Sequence, residues 1–137
     1  MTKGLAIEAT AIIAREKAEE LLGWGWSELA LDRCAQYLTS PGISVVEDAR
    51  LALAAGGVHA MHDPTEGGVA TGLLEMATAS RVGLEVLTGE LQISEDSLKL
   101  CQAFDLDPFG VISSGALLIG CAPGSTEAIT TALREAC

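Results

Sequence analysis

The sequence has few basic residues and no segment that would direct it to a membrane. Its 137 residues include 8 Lys and Arg against 19 Asp and Glu, so the net charge at pH 7 is −11. This charge disfavours binding to nucleic acid or to an anionic membrane surface. No apolar run reaches the roughly 18 residues of a membrane span, and the first ten residues lack the layout of a signal peptide. We therefore expect a cytoplasmic protein with no nucleic-acid partner and no membrane partner.

Common ligand-binding motifs are also missing. The cysteines form no C-x-x-C pair, and neither a P-loop string nor a G-x-G-x-x-G string occurs. We expect Cys34, Cys101 and Cys121 to be reduced and mostly buried. His59 and His62 are three residues apart on a predicted strand, which places them on opposite faces as a poor ligand pair. No metal-binding residue is predicted.

What the sequence does contain is an alternation of helices and strands in one domain over residues 1–137. Apolar residues make up 49% of the chain, enough for a packed core. Their spacing predicts six helices and three strands. Three helices cover residues 5–22, 28–38 and 44–55, a fourth follows the first strand, and two more begin at Ser94 and near Ser125. The strands cover residues 58–62, 82–87 and 116–121. Because strand–helix alternation stops at both ends, we expect one module of a larger protein that lacks a terminal strand at each end.

The stretch "HDPTEGGVATGLLEM", residues 62–76, combines a helix start with two glycines. Asp63 as the N-cap, Pro64 at the first helical position and Glu66 in a capping box would explain the first half without any function. Gly67 and Gly68 need another reason, because each costs on the order of 0.5–1 kcal/mol relative to Ala inside a helix. A neighbouring strand, a partner domain or an anionic ligand on the free amides must approach closely. The rest of the helix is apolar nearly all round, which predicts a central buried helix.

Two other segments allow both a structural and a functional interpretation. In "FGVISSGALLIG", residues 109–120, Ser113, Ser114 and Gly115 form either an ordinary turn before a strand or a surface beside a ligand cleft. Trp24 and Trp26 either cover the edge of the core or contact a partner.

The stretches "HDPTEGGVATGLLEMATASRVGLEV" and "CQAFDLDPFGVISSGALLIG" together resemble a known domain. They are similar to the carboxy-terminal domain of the aminoimidazole ribonucleotide (AIR) synthetase superfamily, which includes selenophosphate synthetase and the HypE-like hydrogenase maturation factor. The similarity is closest to AIR synthase-related proteins. It implies a PurM C-terminal-domain-like α/β (α+β) fold, with a mixed sheet covered by helices.

The resemblance also implies a function. Family members join this domain to an amino-terminal domain, absent from this sequence, that binds ATP and Mg²⁺ and forms dimers. The complete enzymes transfer a phosphoryl group, in the hydrogenase-maturation type to a carbonyl or amide oxygen. This chain would form one wall of the nucleotide and substrate cleft and would be inactive alone, possessing no cofactor of its own or binding ATP weakly. Its partner would be the ATP-binding domain or a second copy. The alternative is a non-catalytic binding or assembly module.

Several residues carry the family's motifs. The resemblance implies that six of them bind the cofactor, and it assigns no catalytic residue. They are Asp63, Thr65, Gly67 and Gly68 of an acid-x-hydroxyl-x-glycine motif, and Ser114 and Gly115 of a turn that lines the cleft. Glu8 and Thr10 match a segment near the domain junction. Glu66 and Ala9 depart from the family pattern, which often has arginine and glycine there. Cys137 matches the reactive terminal cysteine of the hydrogenase factor, or only marks a truncation.

Overall fold

The computed structural model describes residues 1–136. Cys137, the candidate terminal thiol, lies outside the described residues. Seven α-helices and two β-strands are present in this part of the chain, joined by three short 3₁₀ turns. In chain order they are α1 (Ile7–Glu16), α2 (Ala18–Gly23), α3 (Glu28–Ala35), α4 (Val46–Ala55), β1 (Val58–His62), α5 (Gly68–Ser80), α6 (Glu95–Ala103), β2 (Leu118–Cys121) and α7 (Thr126–Glu135).

Strands β1 and β2 form an antiparallel pair. His62 lies opposite Leu118 and Met61 opposite Ile119, and the register shifts between Val58 and Ala60. Both strands were predicted, although β2 begins two residues later than expected. The predicted α/β class is confirmed, with the sheet of residues 1–136 consisting of this one antiparallel pair.

The prediction of a strand at residues 82–87, the second of the three, is wrong. Every residue from Val82 to Leu87 is exposed and none belongs to a strand. Alternating apolar residues favour an extended chain, but a strand also needs a neighbour that completes its backbone hydrogen bonds. Within the described chain, the sheet has only two strands and neither pairs with this segment.

The predicted first helix, residues 5–22, is two helices that meet at Lys17. This residue has φ −116° and ψ 18°, outside the helical region. The break separates α1 from α2, and Leu21 of α2 is fully buried against the second of two core clusters. A single straight helix was predicted because apolar spacing continues across the break, whereas the packing of Leu21 is set by residues far away in sequence.

The core has two clusters, and helices α1 and α6 contribute to both. The first contains Leu5, Ala6, Ala9, Val69, Cys101, Ala116 and Leu118. The second contains Ala14, Leu21, Leu31, Cys34 and Leu100. Cys34, Cys101 and Cys121 are free thiols and the first two are buried, as predicted. None of the helices in residues 1–136 is long and apolar enough to cross a membrane.

The two tryptophans border the second cluster. Trp26 packs against it, and the Trp24 ring lies 5.2 Å from the Phe104 ring between centroids. These contacts favour the interpretation that both residues cover the edge of the core, although Trp24 remains 53% exposed.

Helix α5 is not the central buried helix that its composition predicted. Its buried residues are Gly68, Val69 and Gly72, whereas Leu74 is 67% exposed. One face lies on the sheet, where a Cβ added to Gly72 would come within 3.1 Å of Leu118. Apolar composition indicates that a helix face can be buried, but only neighbouring elements decide which faces are covered.

Candidate functional site

The predicted capping of α5 by Asp63 and Glu66 is wrong. The helix begins at Gly68, its N-cap residue is Gly67, and no side chain caps it. Gly67 and Gly68 have φ of 77° and 64°, in the left-handed region that favours glycine. The two glycines therefore form the turn that enters the helix. This left-handed turn explains their presence at a position where glycine would otherwise lower the stability of a helix.

The close neighbour expected beside the glycines is the backbone of residues 109–111. A Cβ added to Gly68 would overlap the carbonyl oxygens of Phe109 and Val111. The N–H of Ala70 donates to the Phe109 carbonyl at 3.0 Å. Of the three neighbours considered from the sequence, none was a loop of the same chain, so this contact is a finding of the structure.

Thr65 and Ser113 join the two segments in which site residues were predicted. The carbonyl of Thr65 accepts from the N–H of Gly68 at 3.1 Å and from the N–H of Ser113 at 3.3 Å. Ser113 is fully buried, and its hydroxyl donates to the Val111 carbonyl at 3.2 Å. The structure thus places the Asp63–Gly68 turn beside the Ser114–Gly115 turn. Ser113 itself was not among the six predicted residues, although it lies in the same polar interruption of the sequence.

Gly115 ties this surface to the start of α1. It has φ 103°, and an added Cβ would lie 3.0 Å from the Gly42 carbonyl oxygen and 3.3 Å from Ile7. Ser114 beside it is half-buried. A side chain at position 115 would push apart the turn at residue 42 and the first turn of α1, so the glycine is required by packing whatever binds nearby.

Two carboxylates and one lysine set the charge of this region. Partial burial raises the pKa of Asp63 above its ordinary value; His62 opposes the rise, Glu8 adds to it, and Lys3 opposes it. One carboxylate oxygen of Glu8, Oε2, is buried without a hydrogen-bond partner in the described residues. Glu8 was predicted only as a junction residue, so its proximity to Asp63 is new.

Lys3 is held in place by oxygen atoms of the first turn of α4 and of the segment that leads into it. Its Nζ lies 3.0 Å from Asp48 Oδ2 and donates to the Ser44 carbonyl at 2.5 Å and to the Gly42 carbonyl at 3.4 Å. Both side chains of the ion pair are nearly buried, 14% exposed for Lys3 and 11% for Asp48. The lysine was missed from the sequence because a single basic residue among many acidic ones carries no pattern.

His62 at the end of β1 faces α5. Its Nε2 lies 2.6 Å from Glu75 Oε2, and its Nδ1 is buried without a partner in the described chain. Pro64 is fully buried, and a Cβ added to Gly72 would lie 2.9 Å from it. His62, Pro64 and Gly72 therefore fix how the Asp63–Gly68 turn leaves the sheet.

The residues fit part of a site for a metal-bound phosphate. Carboxylate oxygens such as those of Asp63 and Glu8 are the ligands that Mg²⁺ prefers. However, no group of three or more His, Cys, Asp or Glu side chains within residues 1–136 is arranged to hold a metal ion. At the helix start, the N–H groups of Gly68 and Ala70 already donate to carbonyls of this chain. A complete site would therefore need ligands from outside these residues.

Two surface cavities lie away from the six predicted residues. A cavity of about 700 Å³ is bordered by Lys3, Asp48, Gln92 and Arg134, among others. It shares Lys3 with the region described above but includes none of the six. A second cavity, of about 320 Å³, lies between Trp24, Trp26 and Lys99.

Comparison with known proteins adds to this geometry. Residues 2–137 match the model of the family described as AIR synthase related protein, C-terminal domain. The chain belongs to this family. The match extends over nearly the whole chain, well beyond the stretches that carried the resemblance, and it agrees with the α/β class of the structure.

Proteins similar to this AIR synthase-related domain include hydrogenase maturation proteins. The carbamoyl dehydratase HypE of Rhizobium leguminosarum bv. viciae is 36% identical over 83 residues, which are 59% of this chain and 24% of that protein. A putative hydrogenase expression/formation protein of Methanocaldococcus jannaschii is 32% identical over 78 residues, 57% of this chain and 23% of that protein. The domain thus spans about a quarter of the length of the curated relatives that it matches.

Solved structures of HypE are similar as well. A crystal structure of HypE in complex with ATP is 34% identical, has a TM-score of 0.59, and covers 63% of this chain and 26% of that one. A further HypE structure is 32% identical with a TM-score of 0.62, and the match covers 67% of this chain and 29% of that one. Over about two thirds of its length, the chain therefore shares the fold of part of HypE.

Proposed function

We propose that this domain is the carboxy-terminal part of an ATP-dependent enzyme of the hydrogenase-maturation type, and that it forms one wall of the nucleotide and substrate cleft. The observation that carries the proposal is the hydrogen bond from Ser113 N–H to the Thr65 carbonyl. It joins the Asp63–Gly68 and Ser114–Gly115 turns into one surface. The similarity to a HypE solved in complex with ATP supports a nucleotide as the ligand.

Each part of this surface has a role in the proposal. Asp63 and Glu8 would hold Mg²⁺ through carboxylate oxygens, while the Gly67–Gly68 turn and Ser114 would position the phosphates. The Mg²⁺–ATP complex would supply a phosphoryl group that activates a carbonyl or amide oxygen of the substrate.

We further propose that this domain binds Mg²⁺–ATP weakly and turns it over only when an ATP-binding domain completes the cleft. Phosphoryl transfer depends on positioning and on neutralising the phosphate charge. The wall offers Asp63, Glu8 and Asp48 against one cation, Lys3, already paired with Asp48. Unaccompanied phosphates would therefore be repelled.

Nuclear magnetic resonance on the ¹⁵N-labelled chain tests the location of the site. With Mg²⁺–ATP at millimolar concentration, we expect the amide signals of Gly67, Ser114 and Gly115 to shift. Asp63→Asn should reduce those shifts at least about threefold, since it removes a charged metal ligand. Asp32→Asn is the matched control, because Asp32 is exposed on α3, outside the wall. Unshifted signals at all three residues would contradict the proposed wall.

A hydrolysis assay tests the need for a second domain. The chain alone should release no phosphate from Mg²⁺–ATP above the buffer rate. Addition of the separately produced amino-terminal domain of a HypE relative should tighten binding at the wall. Rapid turnover by the chain alone would overturn this part of the proposal and leave the location of the site intact.

The rival function, an assembly module, is favoured by one observation. Residues 82–87 expose Val82, Leu84, Val86 and Leu87, each between 39% and 66%. Such a surface suits a protein contact better than a nucleotide.

A further inference from the structure

The exposed segment Val82–Leu87 follows directly after helix α5. Its apolar residues alternate, and over four residues its backbone has no hydrogen-bond partner within residues 1–136. Val82 N–H donates to the Ala77 carbonyl at 3.0 Å, and the Leu87 carbonyl accepts from Glu90 N–H at 3.0 Å. Between them, no hydrogen bond in the described part of the chain involves the backbone of residues 83–86. An exposed, unpaired segment with this pattern is a template for strand pairing with another chain.

We propose that two copies of this chain pair through residues 82–86 as antiparallel strands, around a twofold axis at Leu84. The sequence of the segment, V-G-L-E-V, is symmetric in its apolar positions about Leu84. In this register Val82 lies opposite Val86 of the other copy and Leu84 lies opposite itself. Three apolar pairs then share one face, which is the arrangement that stabilises antiparallel strands.

The backbone selects which pairs are hydrogen-bonded. Antiparallel residue pairs alternate between hydrogen-bonded and non-hydrogen-bonded types. The N–H of Val82 is already used by Ala77, so the pair of Val82 with Val86 cannot be a fully bonded one. The bonded pairs are therefore Gly83 with Glu85 and Glu85 with Gly83. These four bonds use only backbone groups that have no partner in the described part of the single copy.

Charge favours the same register. Gly83 opposite Glu85 keeps the two carboxylates from lying directly across from each other. Arg81 immediately precedes each strand, outside the ladder because of its left-handed backbone, and its long side chain is on the side of Glu85 of the other copy. Two attractive Arg81–Glu85 pairs would then outweigh the one diagonal pair of glutamates. A register centred on Glu85 would place like charges directly opposite. A register centred on Gly83 would require Ser80, which belongs to α5, and Arg81, which has φ 57°.

The expected dimer is weak. Five residues from each copy bury less surface than a standard interface, which corresponds to a dissociation constant of roughly micromolar or above. The net charge of −11 on each copy also opposes association. The measurement therefore belongs at about 0.15 M ionic strength, where charges more than about 8 Å apart are screened.

Sedimentation equilibrium of the full chain over a dilution series tests the proposal. Wild type should show a monomer–dimer equilibrium. Leu84→Lys places two like charges at the twofold axis and should raise the dissociation constant at least about tenfold. Leu29→Lys is the matched control and should leave it unchanged, since Leu29 is 75% exposed on α3, away from the segment. Circular dichroism should report the same helix content for all three proteins.

Charge exchange separates this register from a general apolar contact. Arg81→Glu and Glu85→Arg should each weaken the dimer roughly threefold or more, and the double variant should restore it. A chain that stays monomeric at every concentration would overturn the proposal, as would equal effects of Leu84→Lys and Leu29→Lys or a double variant without rescue. These results are independent of ATP binding, so failure here leaves the proposed cleft wall untouched.

Discussion

Gly68 lies so close to the Phe109 carbonyl that no side chain fits between them. Two residues further on, the N–H of Ala70 donates to the same carbonyl at 3.0 Å. The glycine and the hydrogen bond depend on each other, because the loop can approach the helix start only where a Cβ is missing. This contact fixes the position of the Asp63–Gly68 turn relative to the Ser114–Gly115 turn.

Gly68→Ala should therefore destabilise the protein by at least about 2 kcal/mol, since it combines a left-handed backbone with overlap against backbone atoms. Urea unfolding followed by circular dichroism measures the change. Gly25→Ala separates the two causes, because Gly25 has φ 91° but open space around its Cβ position. The Gly25→Ala variant should lose about 1 kcal/mol of folding stability, from the left-handed backbone alone.

Gly124→Ala completes the comparison. Gly124 has neither a positive φ nor an atom within 4 Å of its Cβ position, so its substitution should change stability by no more than about 0.5 kcal/mol. Equal effects at positions 68 and 124 would show that the contact with Phe109 does not restrict the helix start.

These glycines also show what the sequence could and could not predict. The free-energy cost of two glycines predicted a close neighbour, and one exists. Its identity was not predictable, because Phe109 is more than forty residues away and its carbonyl leaves no trace in the side-chain pattern. The "DPTE" string satisfied the capping rule locally, but the Thr65 carbonyl is committed to Gly68 and Ser113, and the helix begins later.

The strands show the same division. The strand at residues 58–62 was predicted correctly, and the one predicted at 116–121 forms over Leu118–Cys121, because each has a partner that the chain brings alongside. Residues 82–87 have an equally good pattern without such a partner. Periodicity reports what a segment prefers, whereas pairing depends on the rest of the fold. The two turns that hold the six predicted site residues likewise lie side by side. Lys3 was found only through its position in space, and Glu8, which the sequence placed near a domain junction, was found beside Asp63 in the same way.

The pH dependence of stability tests the environment of Asp63. Its pKa is raised in the folded protein, mainly by burial, so folding disfavours the ionised form. Below the unfolded pKa, near 3.8, the Asp63 carboxyl is protonated and does not lower the free energy of unfolding. As pH rises through the folded pKa, the carboxyl ionises in its buried position and that stability is lost. Asp63→Asn should therefore be more stable than wild type at pH 7 and equal to it at about pH 3.

Asp96→Asn is a control of opposite sign. Arg33 donates to both Asp96 oxygens, at 2.8 and 3.0 Å, and these hydrogen bonds lower the pKa of Asp96. Its stabilising effect is present above the unfolded pKa and lost as pH falls. This variant should be less stable than wild type at pH 7 by up to about 1 kcal/mol, with the gap closing in acid. Parallel pH profiles for the two variants would contradict both assignments.

A buried chain of hydroxyls joins α1 to α6. Thr10 Oγ1 lies 2.6 Å from the Ala6 carbonyl oxygen and 2.6 Å from Ser97 Oγ, which lies 2.7 Å from Ser94 Oγ. Thr10→Val and Ser97→Ala should each cost about 1–3 kcal/mol, because each leaves a buried polar group without its partner. The double variant should lose about 1 kcal/mol less than the sum, measured by urea unfolding. Strict additivity would show that the two hydroxyls do not interact.

The thiols should differ sharply in reactivity. Burial raises the pKa of Cys34 to about 11, with Asp96 adding to the rise, and burial also raises the pKa of Cys101. Both thiols are therefore protonated and shielded at neutral pH, whereas Cys121 is half-buried. In a Cys137→Ser background, a chromogenic disulfide reagent at pH 7.5 should modify Cys121 at least about tenfold faster than the other two. In urea, as a control, all three thiols should react at similar rates. Fast labelling of Cys34 in the native protein would contradict the prediction and show that the cluster around Leu21 and Leu31 opens without global unfolding.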